Sequence, residues 1–374
     1  MAEPRVGFDA TSLGALGKGV ARYARELLPE LARLDAPVST VVLAPHGAAL
    51  PVGAEGLPTA RVSARPAIAW EQLRVRTVVR KERLSLLHTT TDRLPLRARV
   101  PLVVYLFEDP KYRLEALRGS RGPKKAVADA LTAALFPRSM RTAALVLVSS
   151  EATARDLEAR GVPAERVRLV YPGVSSAFRP GDADERAAIR QRLAAPDGYV
   201  LHFSSDDPRD NTPGAFEAYA ELCRRLPHAP PLLVPGPVVA ELEAQRALAT
   251  SFGILEQVRW LGFQSGDDLA ELYRGASVYV DPSLYEGFGF QVAEALASGV
   301  PVACSNVTSL PEVVGDAGIL VAPRDVRGFA DALEQALTDE EFAAGLRARA
   351  GRQARRFSWA RAARETVDAW LELL

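Results

Sequence analysis

Tyr285-Glu286-Gly287-Phe288-Gly289-Phe290-Gln291-Val292-Ala293-Glu294-Ala295-Leu296-Ala297-Ser298-Gly299-Val300-Pro301-Val302 is the stretch whose reading decides the fold. Glu286 and Glu294 lie eight positions apart, and between them Gly287 and Gly289 alternate with Phe288 and Phe290 ahead of a helix-forming run. Small residues let backbone N–H groups approach a ligand closely, and a helix N-terminus after such a turn favours an anion. A helix starting near Phe290 carries Glu294 in its first turns and leaves Glu286 on the loop before it. One carboxylate then faces each end of a polar molecule whose anionic middle rests on the loop, which is the layout of a sugar nucleotide.

The remainder of the chain supplies the frame for this stretch. Its 374 residues exceed one ordinary core, so two domains are expected. The 48% hydrophobic and 25% charged shares are those of a soluble globular protein. Acidic and basic side chains balance at 46 each, which argues against a nucleic-acid binder driven by bulk charge. The only cysteines, Cys223 and Cys304, indicate neither a disulfide framework nor a cysteine metal site. The N-terminus lacks the order of a signal peptide, and no apolar run is long enough for a bilayer, so a cytoplasmic location is expected.

Arg5–Asp9 reads as a buried strand, followed by a loop with Gly14, Gly17 and Gly19 and a helix over Val20–Leu34. That order is the first unit of a doubly wound α/β domain. Strands are expected at Val38–Leu43, Leu84–His88, Leu102–Phe107 and Ala144–Val148, with helices at Trp70–Lys81 and Lys124–Leu135. Prolines and a glycine over Val167–Pro180 break the rhythm and place the hinge. The alternation restarts with strands at Tyr199–Phe203, Pro231–Val234, Val258–Trp260, Ser277–Val280, Val300–Ala303 and Gly318–Val321, interleaved with helices at Gly214–Leu226, Ala240–Phe252, Asp267–Arg274 and Phe290–Ser298. A helical tail covers Val326–Leu337 and Glu340–Leu374.

The stretch around Glu286 resembles the Glu-x7-Glu motif of retaining family-4 glycosyltransferases. The resemblance extends to Gly17-Lys18-Gly19-Val20-Ala21-Arg22-Tyr23, Trp70-Glu71-Gln72, Val170-Tyr171-Pro172-Gly173-Val174, Leu261-Gly262-Phe263, Asp281-Pro282-Ser283 and Leu310-Pro311-Glu312-Val313. The first and third of these look most like the mannosyl- and rhamnosyltransferase branch. The resemblance implies the GT-B fold: an α/β protein with two Rossmann-like doubly wound parallel-sheet domains facing a cleft. Residues 1–175 would form the acceptor-side domain and 176–355 the nucleotide-sugar domain. The helix of 356–374, entered through Phe357-Ser358-Trp359, would cross back to the first domain.

Carried over residue by residue, the resemblance implies that Glu286 bonds the donor sugar and Glu294 the ribose. Gly287, Phe288, Gly289 and Phe290 would lie against the sugar and diphosphate, with the Gly17 and Gly19 loop closing from the other domain. Gly262 and Phe263 would line the nucleobase pocket. The implied chemistry is transfer with retention, from a nucleotide sugar to a hydroxyl-bearing acceptor, and no metal is expected.

Two departures from the family pattern stand out. The loop that usually carries an arginine and a lysine near the diphosphate reads Ser204-Ser205-Asp206-Asp207-Pro208-Arg209-Asp210-Asn211. A serine stands at the arginine position and Asp210 at the lysine position, so Arg209 is the nearby cation and Ser204 and Asn211 are the polar neighbours. At Phe107-Glu108-Asp109, Glu108 replaces a histidine expected beside the reacting sugar. A less favoured alternative gathers Glu108, Asp109, Asp206 and Asp207 around a divalent cation.

Each site also has a plainer account: Glu286 and Glu294 as a loop charge and a solvated helix face, and the acidic loop as a turn with a helix cap at Asn211 or Thr212. His88 and His202, in strands, are expected to be satisfied polar residues. Lys111–Arg141, rich in lysine and arginine with Leu117, Val127, Leu131, Leu135 and Phe136 interleaved, suits peripheral contact with an anionic membrane or a lipid-diphosphate acceptor. A solvated helix face fits it equally. Two rivals stay open: a non-hydrolysing sugar-nucleotide epimerase of the same fold, and a sugar-nucleotide-binding partner subunit that has lost catalysis.

Overall fold

The computed structural model describes residues 3–14, 19–95, 98–116, 123–236, 239–264 and 266–374. The chain divides into two compact units, one of Met1–Gly173 with Phe357–Leu374 and one of Val174–Arg356.

The first unit is built on β1 (Arg5–Asp9), β2 (Ser39–Pro45), β3 (Thr59–Val62), β4 (Leu86–Thr89), β5 (Leu102–Leu106), β6 (Leu145–Val148) and β7 (Val167–Leu169). All pair in parallel, in the order β3-β2-β1-β4-β5-β6-β7. The central strands are buried on both faces, as their unbroken apolar runs require. Two strands escape the sequence reading. β3 is a short edge strand with exposed Arg61 and little alternation. β7 falls inside the segment read as hinge, where its single buried residue, Val167, gives no run to recognise.

The second unit orders β8 (Val200–Leu201), β9 (Leu232–Pro235), β10 (Val258–Gly262), β11 (Val278–Asp281), β12 (Val302–Ser305) and β13 (Gly318–Val321) as β10-β9-β8-β11-β12-β13, again parallel. The tail read as one helical pattern from Glu340 is two helices, Glu340–Ala354 in the second unit and Trp359–Leu371 in the first. Ser358 caps the latter by accepting a bond from the Arg361 N–H.

The Trp359–Leu371 helix is locked to the first unit at both ends. Near its start, a Cβ on Gly173 would lie 2.1 Å from the Trp359 nitrogen, so the chain can pass there only as glycine. Toward its end, the Trp370 indole N–H donates to His88 Nδ1 at 3.1 Å. An indole N–H only donates, so Nδ1 accepts and Nε2 carries the hydrogen facing Tyr23 Oη at 3.3 Å. Phe8 stacks on the imidazole with centroids 4.9 Å apart. Full burial pushes His88 down to about 3.

No helix among the described residues is long and apolar enough to cross a membrane. The basic segment forms helices Pro110–Ala116 and Pro123–Thr142; its Leu117, Arg118 and Arg121 lie outside the described residues. Phe136 is buried, whereas Val127 and Leu131 face outward.

Two measurements test these locks. Gly173→Ala is expected to destabilise by about 1–3 kcal/mol, because the nearest obstruction is backbone; an unchanged denaturation midpoint would refute the close approach. His88 stays neutral in the native state but takes a proton near 6.5 when unfolded, so the unfolded state binds more protons between about 6.5 and 3. Stability should therefore drop as pH is lowered across that window, by up to about 1.4 kcal/mol per pH unit. A pH series of urea unfolding should show this slope removed in His88→Asn.

Candidate active site

In the second unit, strand order reverses between β8 and β11. A crevice outside the carboxyl ends of parallel strands at such a switch point is where this class of sheet binds ligands. The Ser204–Asn211 loop follows β8 and the Glu286–Gly289 loop follows β11, so both sequence candidates flank the reversal.

The Glu286 loop is held by its backbone. The Glu286 N–H donates to Thr308 Oγ1 at 3.0 Å, and Ser309 Oγ donates to the Glu286 carbonyl at 2.9 Å. Its side chain is half-buried on this fixed turn. Gly289 caps the Phe290–Ala297 helix with φ 91°, and a Cβ there would come within 2.7 Å of Leu310 Cδ2. The first turn of the helix beyond it has no preceding turn of its own helix, the setting in which a helix N-terminus favours an anion. Phe288 is buried, its ring 5.1 Å from Phe290 and nearly perpendicular. Glu294 is only 2% exposed, and its Oε2 accepts from Tyr273 Oη at 3.0 Å. The solvated helix face is thus excluded for Glu294. At the end of β10, Gly262 takes φ 64° and Phe263 presents a ring that is 63% exposed.

The Ser204–Asn211 loop is tied internally. Arg209 Nε meets both Asp207 oxygens at 3.0 and 3.2 Å, and Nη2 meets Oδ2 at 2.8 Å. Ser204 Oγ donates to Gln245 Oε1 at 2.8 Å. Asn211, in the left-handed region at φ 51°, accepts from the Gly214 N–H and donates to the carbonyls of Pro282 and Pro323 at 2.9 and 3.0 Å. It joins three loops and caps the Thr212–Arg225 helix, as the plainer reading expected. Burial, with repulsion from Asp207 and Asp281, pushes Asp210 up to about 6, against a bond from the Ser205 hydroxyl.

The remaining candidates belong to the first unit. Gly19 opens the Gly19–Arg33 helix; Gly17 lies outside the described residues. Glu108 follows β5, half-buried, 3.7 Å from Arg113 Nη1. Asp109 is wholly buried, bonded by the Arg160 guanidinium and by the Lys111 N–H at 2.8 Å. Those partners give Asp109 a structural task, holding the Pro110–Ala116 helix to the end of the Glu151–Ala159 helix. Among the described residues, no three His, Cys, Asp or Glu side chains stand together as a metal site.

Sequence reasoning quoted Trp70-Glu71-Gln72 without giving it a place in a site, and did not bring Asp9 to it. A cavity of about 920 Å³ opens at the switch point between β1 and β4. Asp9, Trp70, Glu71 and Thr91 line it. Asp9 accepts from the Trp70 indole and the Thr11 N–H, each at 3.0 Å, and burial raises its pKa. Glu71 receives Arg93 at 2.7 and 2.8 Å and Thr91 Oγ1 at 3.0 Å. Trp70–Arg74 winds as a π-helix, an irregularity common at functional sites. A carboxylate closing β1 at the ligand-binding edge was the available signal.

Asp210 has a testable consequence. Its native pKa exceeds the unfolded value of 3.8, so the native state holds the proton longer and stability falls as pH rises from about 4 through 6. Asp210→Asn is expected to gain roughly 2–3 kcal/mol at pH 8 relative to pH 4, compared with the parent protein. Parallel pH profiles for the two would refute the buried carboxylate.

Comparison with known proteins follows the same division. Residues 17–178 match the profile of Glycosyltransferase Family 4, and residues 185–357 that of glycosyl transferases group 1. The chain is 35% identical over 234 residues to O-antigen chain mannosyltransferase B of Escherichia coli, covering 62% of this chain and 61% of that protein. It is 34% identical over 238 residues to the serotype-specific mannosyltransferase WbdA of Escherichia coli, covering 63% and 29%. With D-inositol 3-phosphate glycosyltransferase of Saccharomonospora viridis it shares 38% over 221 residues, covering 56% and 50%. The matches thus span less than two thirds of the length of these curated relatives. Among solved structures, Anabaena HepE in complex with UDP and glucose superposes with a TM-score of 0.75 at 19% identity, covering 99% of this chain and all of that one. WaaG, a glycosyltransferase involved in lipopolysaccharide biosynthesis, does so with 0.75 at 18%, covering 97% and 99%. These likenesses establish the fold as GT-B, and with the two profiles matched in succession along its length the chain belongs to glycosyltransferase family 4.

Proposed function

We propose that the protein is a retaining glycosyltransferase that moves a hexose, mannose or a deoxyhexose favoured, from a nucleoside diphosphate to a hydroxyl of a glycan, glycolipid or natural-product acceptor. The observation that carries this reading is the turn after β11: a half-buried Glu286 fixed through its backbone, a left-handed Gly289, and a helix N-terminus directly after it. Similarity to two mannosyltransferases supports the choice of sugar.

In this reading Glu286 accepts bonds from hydroxyls of the donor sugar. Glu294 takes the ribose: a carboxylate has about four lone-pair positions, and Tyr273 uses one. The exposed Phe263 ring meets the base, and the amides from Gly287 to Phe290 take the diphosphate. The diphosphate leaves with its electron pair as an oxocarbenium-like centre forms. The acceptor oxygen attacks the same face, and the departing phosphate oxygen takes its proton. The protein positions the reactants and stabilises the leaving charge, and no metal is called for. Arg209 exchanges Asp207 for the diphosphate, replacing the cations that Ser204 and Asp210 do not provide. The cavity at Asp9 and Glu71 takes the acceptor, and the Lys111–Arg141 segment, with Val127 and Leu131 outward, rests on an anionic membrane surface.

The tight Arg209–Asp207 pairing favours one rival, a binding subunit without turnover. Incubation with a panel of GDP-, UDP-, dTDP- and ADP-sugars separates the two. A transferase releases nucleoside diphosphate from one of them, insensitive to chelator, and Glu286→Gln and Arg209→Ala each lower that rate roughly 100-fold or more. Saturable binding with no release from any donor would replace the transferase by the binder, and near-normal turnover in Arg209→Ala would remove Arg209 from the mechanism. Flotation with phosphatidylglycerol vesicles at low salt tests the membrane contact, and no binding would dismiss it.

A further inference from the structure

The second large cavity, of about 570 Å³, lies wholly within the second unit, at the opposite end of its sheet from the Glu286 loop. Its walls include Ala276–Ser277 just before β11, Val300–Pro301 just before β12 and Pro230 just before β9. These strands are parallel, so the cavity sits at their starting edge. β11 alone spans four residues, which separates the two ends by about 13 Å.

Four guanidinium groups line the cavity, those of Arg186, Arg190, Arg274 and Arg347, against the carboxylates of Asp197 and Glu340. Arg190 is fixed by bonds from Nε to the Gly275 carbonyl at 2.8 Å and from Nη2 to Ser277 Oγ at 3.2 Å, which leaves Nη1 without a partner among the described residues. Burial lowers its pKa, and repulsion from Arg186 and Arg347 adds to that. Arg274 reaches the Ala177 carbonyl at 3.3 Å and Glu185 only at 3.9 Å, while its buried Nε bonds nothing among the described residues. Arg347 pairs with Glu340, and Arg186 Nη1 donates to the Gly181 carbonyl at 2.6 Å.

A further polar group in the wall points the same way. Ser298 is 4% exposed, and its Oγ has no hydrogen-bond partner among the described residues. A buried hydroxyl without a partner is costly, and so is crowding like charges in a concave wall. One ligand removes both costs: an anion with several acceptor oxygens. Guanidinium forks match phosphate oxygens, and the volume is within the usual range for small-molecule pockets.

We propose that this cavity binds a phosphate-bearing small molecule, a phosphate monoester or diphosphate, at a site separate from the donor site on the same unit. The anion would be met by Arg190 Nη1, Arg274 and Arg347 and would accept from the Ser298 hydroxyl. A body as large as a hexose fits in the volume left over.

Thermal unfolding with inorganic pyrophosphate titrated at constant ionic strength, chloride as control, tests this. A saturable rise in midpoint is expected. Arg190→Gln and Arg347→Gln should each weaken the apparent affinity about tenfold or more, and Ser298→Ala by less. Arg347 is on the outer wall, so Arg347→Gln keeps the test valid should Arg190→Gln fail to fold. Arg209→Ala, which weakens the donor site's own hold on a diphosphate, should leave this response in place. Vesicles of phosphatidylcholine with phosphatidic acid distinguish the source: flotation abolished by Arg347→Gln assigns a lipid headgroup, and no flotation beside an intact pyrophosphate response assigns a soluble anion. No saturable response beyond chloride, or one that survives both Arg190→Gln and Arg347→Gln, overturns the proposal.

Discussion

Gly289 holds φ 91° and ψ 57° with Leu310 packed where a side chain would begin. Few backbone conformations end a loop so abruptly, and only glycine takes this one without strain. Because the turn is spent in one residue, the helix begins at Phe290 and Glu294 falls one turn inside against Tyr273. The same turn fixes Glu286 on the other side, where Thr308 and Ser309 hold both backbone polar groups. Thr308 itself adopts φ 51°, so two left-handed positions on different loops define the place of one carboxylate. The spacing of Glu286 and Glu294 has meaning only because this backbone converts it into geometry.

The acidic loop beside it is organised by a different logic. Asn211 bonds the carbonyls of Pro282 and Pro323, so the loops after β8, β11 and β13 move as one body. Within that body Asp207 neutralises Arg209, and Asp210 is buried among acids. If Arg209 turns to a diphosphate, Asp207 loses its counter-charge beside Asp210, which raises the pKa of Asp210 further. Cation recruitment and proton uptake are then coupled in this loop, whereas a lysine at position 210 would supply the charge with no such linkage.

The sequence made the central architecture legible where physics is local. Buried parallel strands such as Leu102–Leu106 are unbroken apolar runs, and the helix over Gly19–Arg33 repeats tyrosine and leucine at helical spacing. Edge strands β3 and β7 were not legible, since an edge buries one or two residues and leaves no pattern. The split of the tail at Phe357 was marked by Ser358, a cap, yet its cause is the distant Gly173. For the site, residue types revealed which side chains carry chemistry but not which are already committed. Asp109 reads like Glu108 until Arg160, fifty-one positions away, is seen to hold it. Asp9 was read only as the end of a strand, because its partners Trp70 and Thr89 come together through the fold.

The two ends of the second sheet handle anions by opposite means, and the helices explain why. Helices between parallel strands run antiparallel to them, so their N-termini collect at the strand ends, where backbone N–H groups attract anions without charged side chains. The edge that carries the Glu286 loop accordingly tolerates Asp207, Asp210 and Asp281. At the other edge the helices ending at Gly275, Ala297 and Thr338 turn carbonyls toward the cavity, and cations are needed there simply to balance them. Arg190 serves that end by bonding the Gly275 carbonyl. Helix capping alone, however, calls for one donor edge of one guanidinium per terminus and leaves a hydroxyl like that of Ser298 no reason to stay unpartnered in the wall. The excess of cations together with the idle hydroxyl is what separates a binding cavity from a set of capped helices.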